Sequence, residues 1–481
     1  MYLKKKVVVY VAFEIALCIF VTFVLIGNWN QEFKESYIGV LSLINITIFI
    51  ISLHELQKEI FSVASLFVIF TYLFNMGIPI ARLMNWIDES ERLFLQRRVY
   101  SMGYDTFLEF TLFAFLLISM LQVGIICFNR NQLINERNNY ITNEYMSKLH
   151  KCKEIGLICV LIGFVPYFYT EFAYIQNALT YGYQNAESDF NLSGTGFGLI
   201  GNIFLLGIIM ELVYLQNKPK KFDCLFAVAS IYQIIRMFIT GDRSTGVALI
   251  LVFVLIRHKY VSPIKGVKAF FWAVLIYISL IFIKFVELTR SIQSPSIGEV
   301  LGEVTQSNIF AETVFEYGGN IWSGMMVYYC VPSSGSFRYG LTYLAAIIGK
   351  PLQILGITND VWSFANFSVF LTQGNHGALI DSLTQAMGGS FSGEVYFNFG
   401  WIGIVLIPIF GYYLAKFSYT CFDRHNNPVL SGYLLYVATL VIWWVRQYFT
   451  SVAWQALFYG VFVLLLYQVL SKRSVQGGLL K

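Results

Sequence analysis

Two constellations in the 481-residue chain have residue types and spacing suited to chemistry on phosphates and hydroxyls. The first is Thr240-Gly241-Asp242-Arg243-Ser244, a tight turn between two apolar stretches, with Arg236 inside the stretch before it. An ionisable residue within an apolar span is expensive and functional by default, which singles out Arg236. Asp242 is either the salt-bridge partner of Arg243 or a base. The second constellation runs through Asn375-His376-Gly377 and Asp381 to Gly388–Trp401 (GGSFSGEVYFNFGW), and leads directly into another apolar stretch. Glu394 stands where the glycine-rich turn meets that stretch, a partly desolvated position that suits general-base work; a structural salt bridge to an arginine is the competing role. His376 and Asp381 are its rivals or orienters. The glycines do not form a phosphate-cradling loop of the nucleotide-hydrolase type, because the required Gly-Lys-Ser/Thr is missing. The seven cysteines contain no CxxC pair, so neither a disulfide framework nor a zinc site is expected.

The elements that must position these residues are membrane spans. Hydrophobic residues make up 57% of the chain and charged ones only 13%, a balance that a water-soluble globule could not cover with polar surface. Apolar stretches near the roughly 20 residues that cross a bilayer lie at 7–27, 37–53, 60–80, 106–128, 153–172, 196–216, 223–240, 245–256, 268–286, 396–415, 429–446 and 452–470. The expected fold is therefore an all-α polytopic membrane protein of about 12 transmembrane helices. Spans one to nine occupy 1–286, a long outward loop 287–395, and the last three spans 396–481. The loop carries amphipathic pieces at 307–329, 339–355 and 361–371 that are expected to pack as short helices on the outer leaflet. Lys4-Lys5-Lys6 before the first stretch resembles a signal peptide, but the stretch is too long and lacks a small-residue cleavage site, so it reads as a retained span.

Charge sets the orientation. With both termini cytoplasmic, 21 of the 33 basic residues fall inside, as the positive-inside rule requires. The net charge of +5 is spread over short clusters between spans and does not describe a nucleic-acid-binding face. The two sides also differ in kind: 16 lysines and 5 arginines inside, 3 lysines and 9 arginines outside. The outer nine are Arg82, Arg92, Arg97, Arg98, Arg236, Arg243, Arg290, Arg338 and Arg446. Lysine suffices as a topology charge, whereas a planar guanidinium binds phosphate oxygens in pairs. The bias points to an outward anionic ligand such as a diphosphate, with Arg243 and Arg290 as its main contacts and Arg236 or Arg338 assisting. Eight of the nine tryptophans also fall outward, whereas an aromatic belt forms at both interfaces, which leaves room for sugar rings to stack on an outer cleft.

The turn at 240–244 and the run Gly388–Trp401, with many spans and one long outward loop late in the chain, resemble the Wzy-type oligosaccharide repeat-unit polymerases of O-antigen and capsule synthesis. The resemblance implies a GT-C-like, metal-independent membrane glycosyltransferase in the cytoplasmic (inner) membrane, without a cofactor. It would transfer a growing glycan from undecaprenyl diphosphate onto a new lipid-linked repeat unit on the outer face, with a chain-length regulator and a flippase as partners. An O-antigen ligase shares the lipid-diphosphate donor. A lipid-linked-oligosaccharide flippase would need ligand-binding charges reaching both faces, whereas the arginines here crowd one.

Overall fold

The computed structural model describes residues 2–128, 143–181, 196–240, 243–264, 281, 308–333, 335–373, 388–423 and 427–478. Among them every regular element is helical, as expected for apolar chain that must satisfy its backbone polar groups internally in lipid. The first half holds α1 (Tyr2–Ile26), α2 (Gln31–Ser52), α3 (Val63–Leu83), α4 (Glu89–Phe94), α5 (Tyr104–Cys127), α6 (Asn143–Tyr181), α7 (Gly196–Tyr214), α8 (Pro219–Thr240) and α9 (Arg243–Ile256). Five short helices follow: α10 (Ile309–Gly318), α11 (Ile321–Cys330), α12 (Leu341–Ile354), α13 (Asp360–Ala365) and α14 (Phe367–Gln373). The chain ends with α15 (Phe391–Phe399), α16 (Gly403–Cys421), α17 (Pro428–Trp444) and α18 (Phe449–Gly478).

Nine helical stretches among the described residues are long and apolar enough to cross a bilayer, and each overlaps an expected span. Of the other three, 245–256 falls on α9, which runs on as a π-helical turn to Val261, and 429–446 on the 17-residue α17. The third, 268–286, lies outside the described residues. The protein is an all-helical, multi-pass membrane protein. The amphipathic pieces expected after residue 307 are the five short helices α10 to α14.

The chain divides into two compact units, Met1–Glu136 with Leu280–Ser418 and Trp444–Ser451, and Arg137–Ser279 with Tyr419–Trp443 and Val452–Lys481. In the first, α1, α2, α3 and α5 are tied by side-chain hydrogen bonds inside the bundle. Asn45 donates to Glu14 (2.5 Å) and Ser119 (3.1 Å), and the Tyr72 hydroxyl donates to Asn45. Such ties hold helices together where lipid offers no hydrophobic drive for association. The short helices are seated on this bundle by close backbone contact: a Cβ on Gly77 of α3 would come within 2.4 Å of the Val314 carbonyl of α10, so only a residue without a side chain permits the crossing. In the second unit α6 and α7 pair closely, with Gly163 against the Phe204 backbone and the Tyr167 ring stacked on Phe204 at 4.9 Å between centroids.

Candidate functional site

The sequence Gly388–Trp401 folds into a small clamp in the first unit. Ser390 caps α15 by accepting from the Gly393 amide at 3.2 Å, and its backbone carbonyl takes the Glu394 amide at 2.8 Å. The helix ends at Gly400, whose φ of +55° is left-handed and whose missing side chain makes room for the Phe337 ring, 2.9 Å from where a Cβ would stand. A turn at Gly400–Ile402 then separates α15 from α16. The apolar run of this region is thus two helices, the first one short and carrying the polar residues.

Glu394 is 1% exposed. Its carboxylate accepts the Trp444 indole N–H at 2.7 Å and the Phe449 backbone N–H at 3.1 and 3.0 Å. Among the described residues no basic side chain pairs with it. The competing role read from sequence, a salt bridge to an arginine, is replaced by neutral donors that fasten the turn between α17 and α18. That turn contains Arg446, and the Phe391 amide donates to the Val445 carbonyl beside it at 3.2 Å.

Asn398, one turn after Glu394, is fully buried and fastens a second loop. Its amide nitrogen donates to the Glu394 carbonyl (2.9 Å), while its oxygen accepts from the Thr342 hydroxyl (2.8 Å) and the Gly340 amide (3.2 Å). The Arg338 and Tyr339 amides donate to the carbonyls of Phe397 and Asn398 at 3.1 and 2.8 Å. Burial, and then the Glu394 carboxylate, push the Tyr343 hydroxyl well above its ordinary pKa, so it stays protonated beside Asn398. The sequence carried Asn398 within its motif without a role; its signal was a lone amide in an apolar run, where an unpaired polar group would be expensive.

The clamp presents Arg338. Its guanidinium lies over the rings of Phe364, Phe397 and Phe370 at 4.9, 5.3 and 5.9 Å from their centroids. Its Nε is buried without a hydrogen-bond partner, and among the described residues no carboxylate neutralises it. A charged guanidinium held on aromatic faces with donors unused is arranged to receive an anion. Replacing Asn398 by alanine leaves the Thr342 hydroxyl and the Gly340 amide without an acceptor, and is expected to lower stability by about 2–3 kcal/mol in a thermal or denaturant melt of the purified protein. Arg338 should lose its seat with it, so ligand binding should fall in step.

The second unit holds Arg236, whose Nε bonds Glu171 at 2.5 Å with both side chains largely buried. The bridge joins α8 to α6 and compensates a charge that could not stand alone inside a span. Arg243 is the first residue of α9. Arg290, Asp242, His376 and Asp381 lie outside the described residues. The structure therefore brings Glu394 and Arg338 onto one clamp in the first unit and puts Arg236 in the second. Among the described residues no group of His, Cys, Asp and Glu is arranged to hold a metal ion.

No curated protein and no solved structure matches the chain. The family model described as O-antigen polysaccharide polymerase Wzy matches residues 9–475. With an all-helical, multi-pass architecture and nearly its whole length matched, the chain belongs to the O-antigen polysaccharide polymerase Wzy family.

Proposed function

We propose that this protein joins undecaprenyl-diphosphate-linked oligosaccharide repeat units on the outer face of the cytoplasmic membrane, both of its termini being cytoplasmic. The observation that carries the reading is Arg338, a guanidinium on an aromatic platform that no described carboxylate neutralises, within a family of repeat-unit polymerases. As the glycosidic bond to the carrier breaks, negative charge develops on the diphosphate, and a pre-positioned guanidinium stabilises it with no reorganisation at the moment of reaction. Arg338 takes part in this contact, with Arg290 as its further arginine, and Arg243 is a candidate phosphate ligand of the second unit. Arg236, already paired with Glu171, acts through the fold of α6 and α8.

The acceptor hydroxyl must lose a proton as it attacks the sugar carbon. Glu394 has both oxygens occupied by N–H donors and is shielded from solvent, which supports a positioning role for it. Proton acceptance then falls to His376, Asp381 or Asp242. The chemistry needs no metal where guanidinium groups carry the charge of the leaving group. A chain-length regulator and a flippase act beside it.

Deletion of the gene should leave single repeat units on an otherwise intact cell surface, read by gel analysis of envelope saccharide. Purified protein should convert lipid-linked repeat units to polymer with release of undecaprenyl diphosphate. Loss of all surface saccharide, with intermediates trapped inside, would instead mark a flippase.

A further inference from the structure

Helix α8 (Pro219–Thr240) is built inside out. Its exposed side shows Val228, Ile231 and Ile235, 52–62% exposed, as lipid contact requires. Its inward face, which also holds Phe222 and Met237, carries a stripe of three polar residues: Ser230 is 8% exposed, Gln233 2%, and Thr240 is fully buried. Facing this stripe on α6 are Tyr167 and Glu171, one turn apart; Gln233 donates to the Tyr167 hydroxyl at 3.5 Å, and Arg236 meets Glu171 at 2.5 Å. The Tyr167 and Tyr232 rings lie 6.2 Å apart beside them.

Two of these buried polar atoms, Ser230 Oγ and Gln233 Oε1, have no hydrogen-bond partner among the described residues. Inside a span, where lipid offers no hydrogen bonds, unsatisfied polar atoms are retained at a cost in stability that leucine or alanine would avoid. Gln233 Oε1 is an acceptor in need of a donor, as is Glu171 beyond its bond to Arg236, and the Ser230 hydroxyl can donate as well as accept. The bridge also cancels the local charge, so the stripe offers no net positive charge to phosphate oxygens. Its complement is a neutral group rich in O–H or N–H donors, with an apolar ring face to lie against tyrosine.

From this we infer that the α6–α8 stripe is a sugar subsite, which takes the hydroxyl-bearing sugar of a lipid-linked repeat unit through Gln233, Ser230 and Tyr167. The inference rests on the polymerase reading above and adds a place for the saccharide within the second unit.

The test uses the full-length protein in lipid nanodiscs, with Gln233→Met and Ser230→Ala singly and together. Two probes are titrated: the lipid-linked repeat unit that accumulates in deletion cells, and bare undecaprenyl diphosphate. The double variant should bind the lipid-linked unit at least about ten-fold more weakly, as loss of one or two hydrogen bonds predicts. Its binding of the bare carrier should be unchanged and its melting temperature equal or higher, because a purely structural polar pair would lower the melting temperature when removed. Should the double variant melt below wild type, Ser230→Ala alone gives the comparison. Unchanged affinity for the lipid-linked unit overturns the subsite and leaves water as the occupant. Wild-type protein that makes polymer without preferring the lipid-linked unit over the bare carrier also overturns the subsite and spares the polymerase reading. Wild-type protein that makes no polymer overturns both.

Discussion

Arg338→Lys is expected to reduce polymerisation by roughly 30- to 1,000-fold, the equivalent of about 2–4 kcal/mol of transition-state stabilisation. Charge is retained in this variant, so the loss measures geometry. The guanidinium sits over the rings of Phe364, Phe397 and Phe370, and such a group presents several donors from one plane. An ammonium is a point charge with a strong hydration shell, and it has no edge to offer a diphosphate in pairs. Stability should hardly change, because the Arg338 side chain makes no hydrogen bond or ion pair to the described residues; its backbone amide, which does, is untouched. Turnover of lipid-linked repeat units and a thermal melt, measured on the same preparation, separate the two effects. Full polymer length in Arg338→Lys would remove this arginine from the reaction. A fall in melting temperature that tracks the loss of activity would reassign it to packing of α13 and α14.

Much of the architecture was legible in sequence because hydropathy is a local property. Among the described residues, nine helices long and apolar enough to cross a bilayer stand where runs of apolar residues put them, and the amphipathic pieces after residue 307 are helices. What escaped was set by partners far along the chain. Asn398 draws its meaning from Thr342 and Gly340, which lie 56 and 58 residues away. Arg236 finds Glu171 across 65 residues, a separation that no local pattern reveals. Hydropathy runs on through Gly400 without a sign of the break, since a left-handed residue leaves the apolar pattern intact. Glu394 was legible as a buried carboxylate at a glycine-rich turn, but one of its two donors is a backbone N–H, and every residue except proline carries one. No pattern of side chains announces such a partner.

That difference makes Glu394 the position where two substitutions discriminate most sharply. Glu394→Leu leaves the Trp444 indole N–H and the Phe449 amide buried without acceptors, and each such loss is worth about 1–3 kcal/mol. The turn at 445–449 should come loose, with a fall in stability of roughly 2–6 kcal/mol and loss of polymer. Glu394→Gln behaves otherwise if the residue positions the turn. Its amide oxygen, placed where Oε2 stands, still accepts from Trp444 at 2.7 Å and from Phe449 at 3.0 Å, while its NH2 group meets only the 3.1 Å edge of the Phe449 contact. Polymerisation by Glu394→Gln should therefore stay within a few-fold of wild type, with a modest drop in melting temperature. A general base gives the opposite pattern: glutamine cannot take the proton, so turnover falls by about 10²-fold or more while stability and binding of the lipid-linked unit persist. Measuring turnover, substrate binding and melting temperature for both variants settles the role. An inactive, stable, substrate-binding Glu394→Gln protein would return the base to Glu394 and leave His376 and Asp381 as its orienters, whereas an active one confirms that α15 uses its only carboxylate to fasten the turn that carries Arg446.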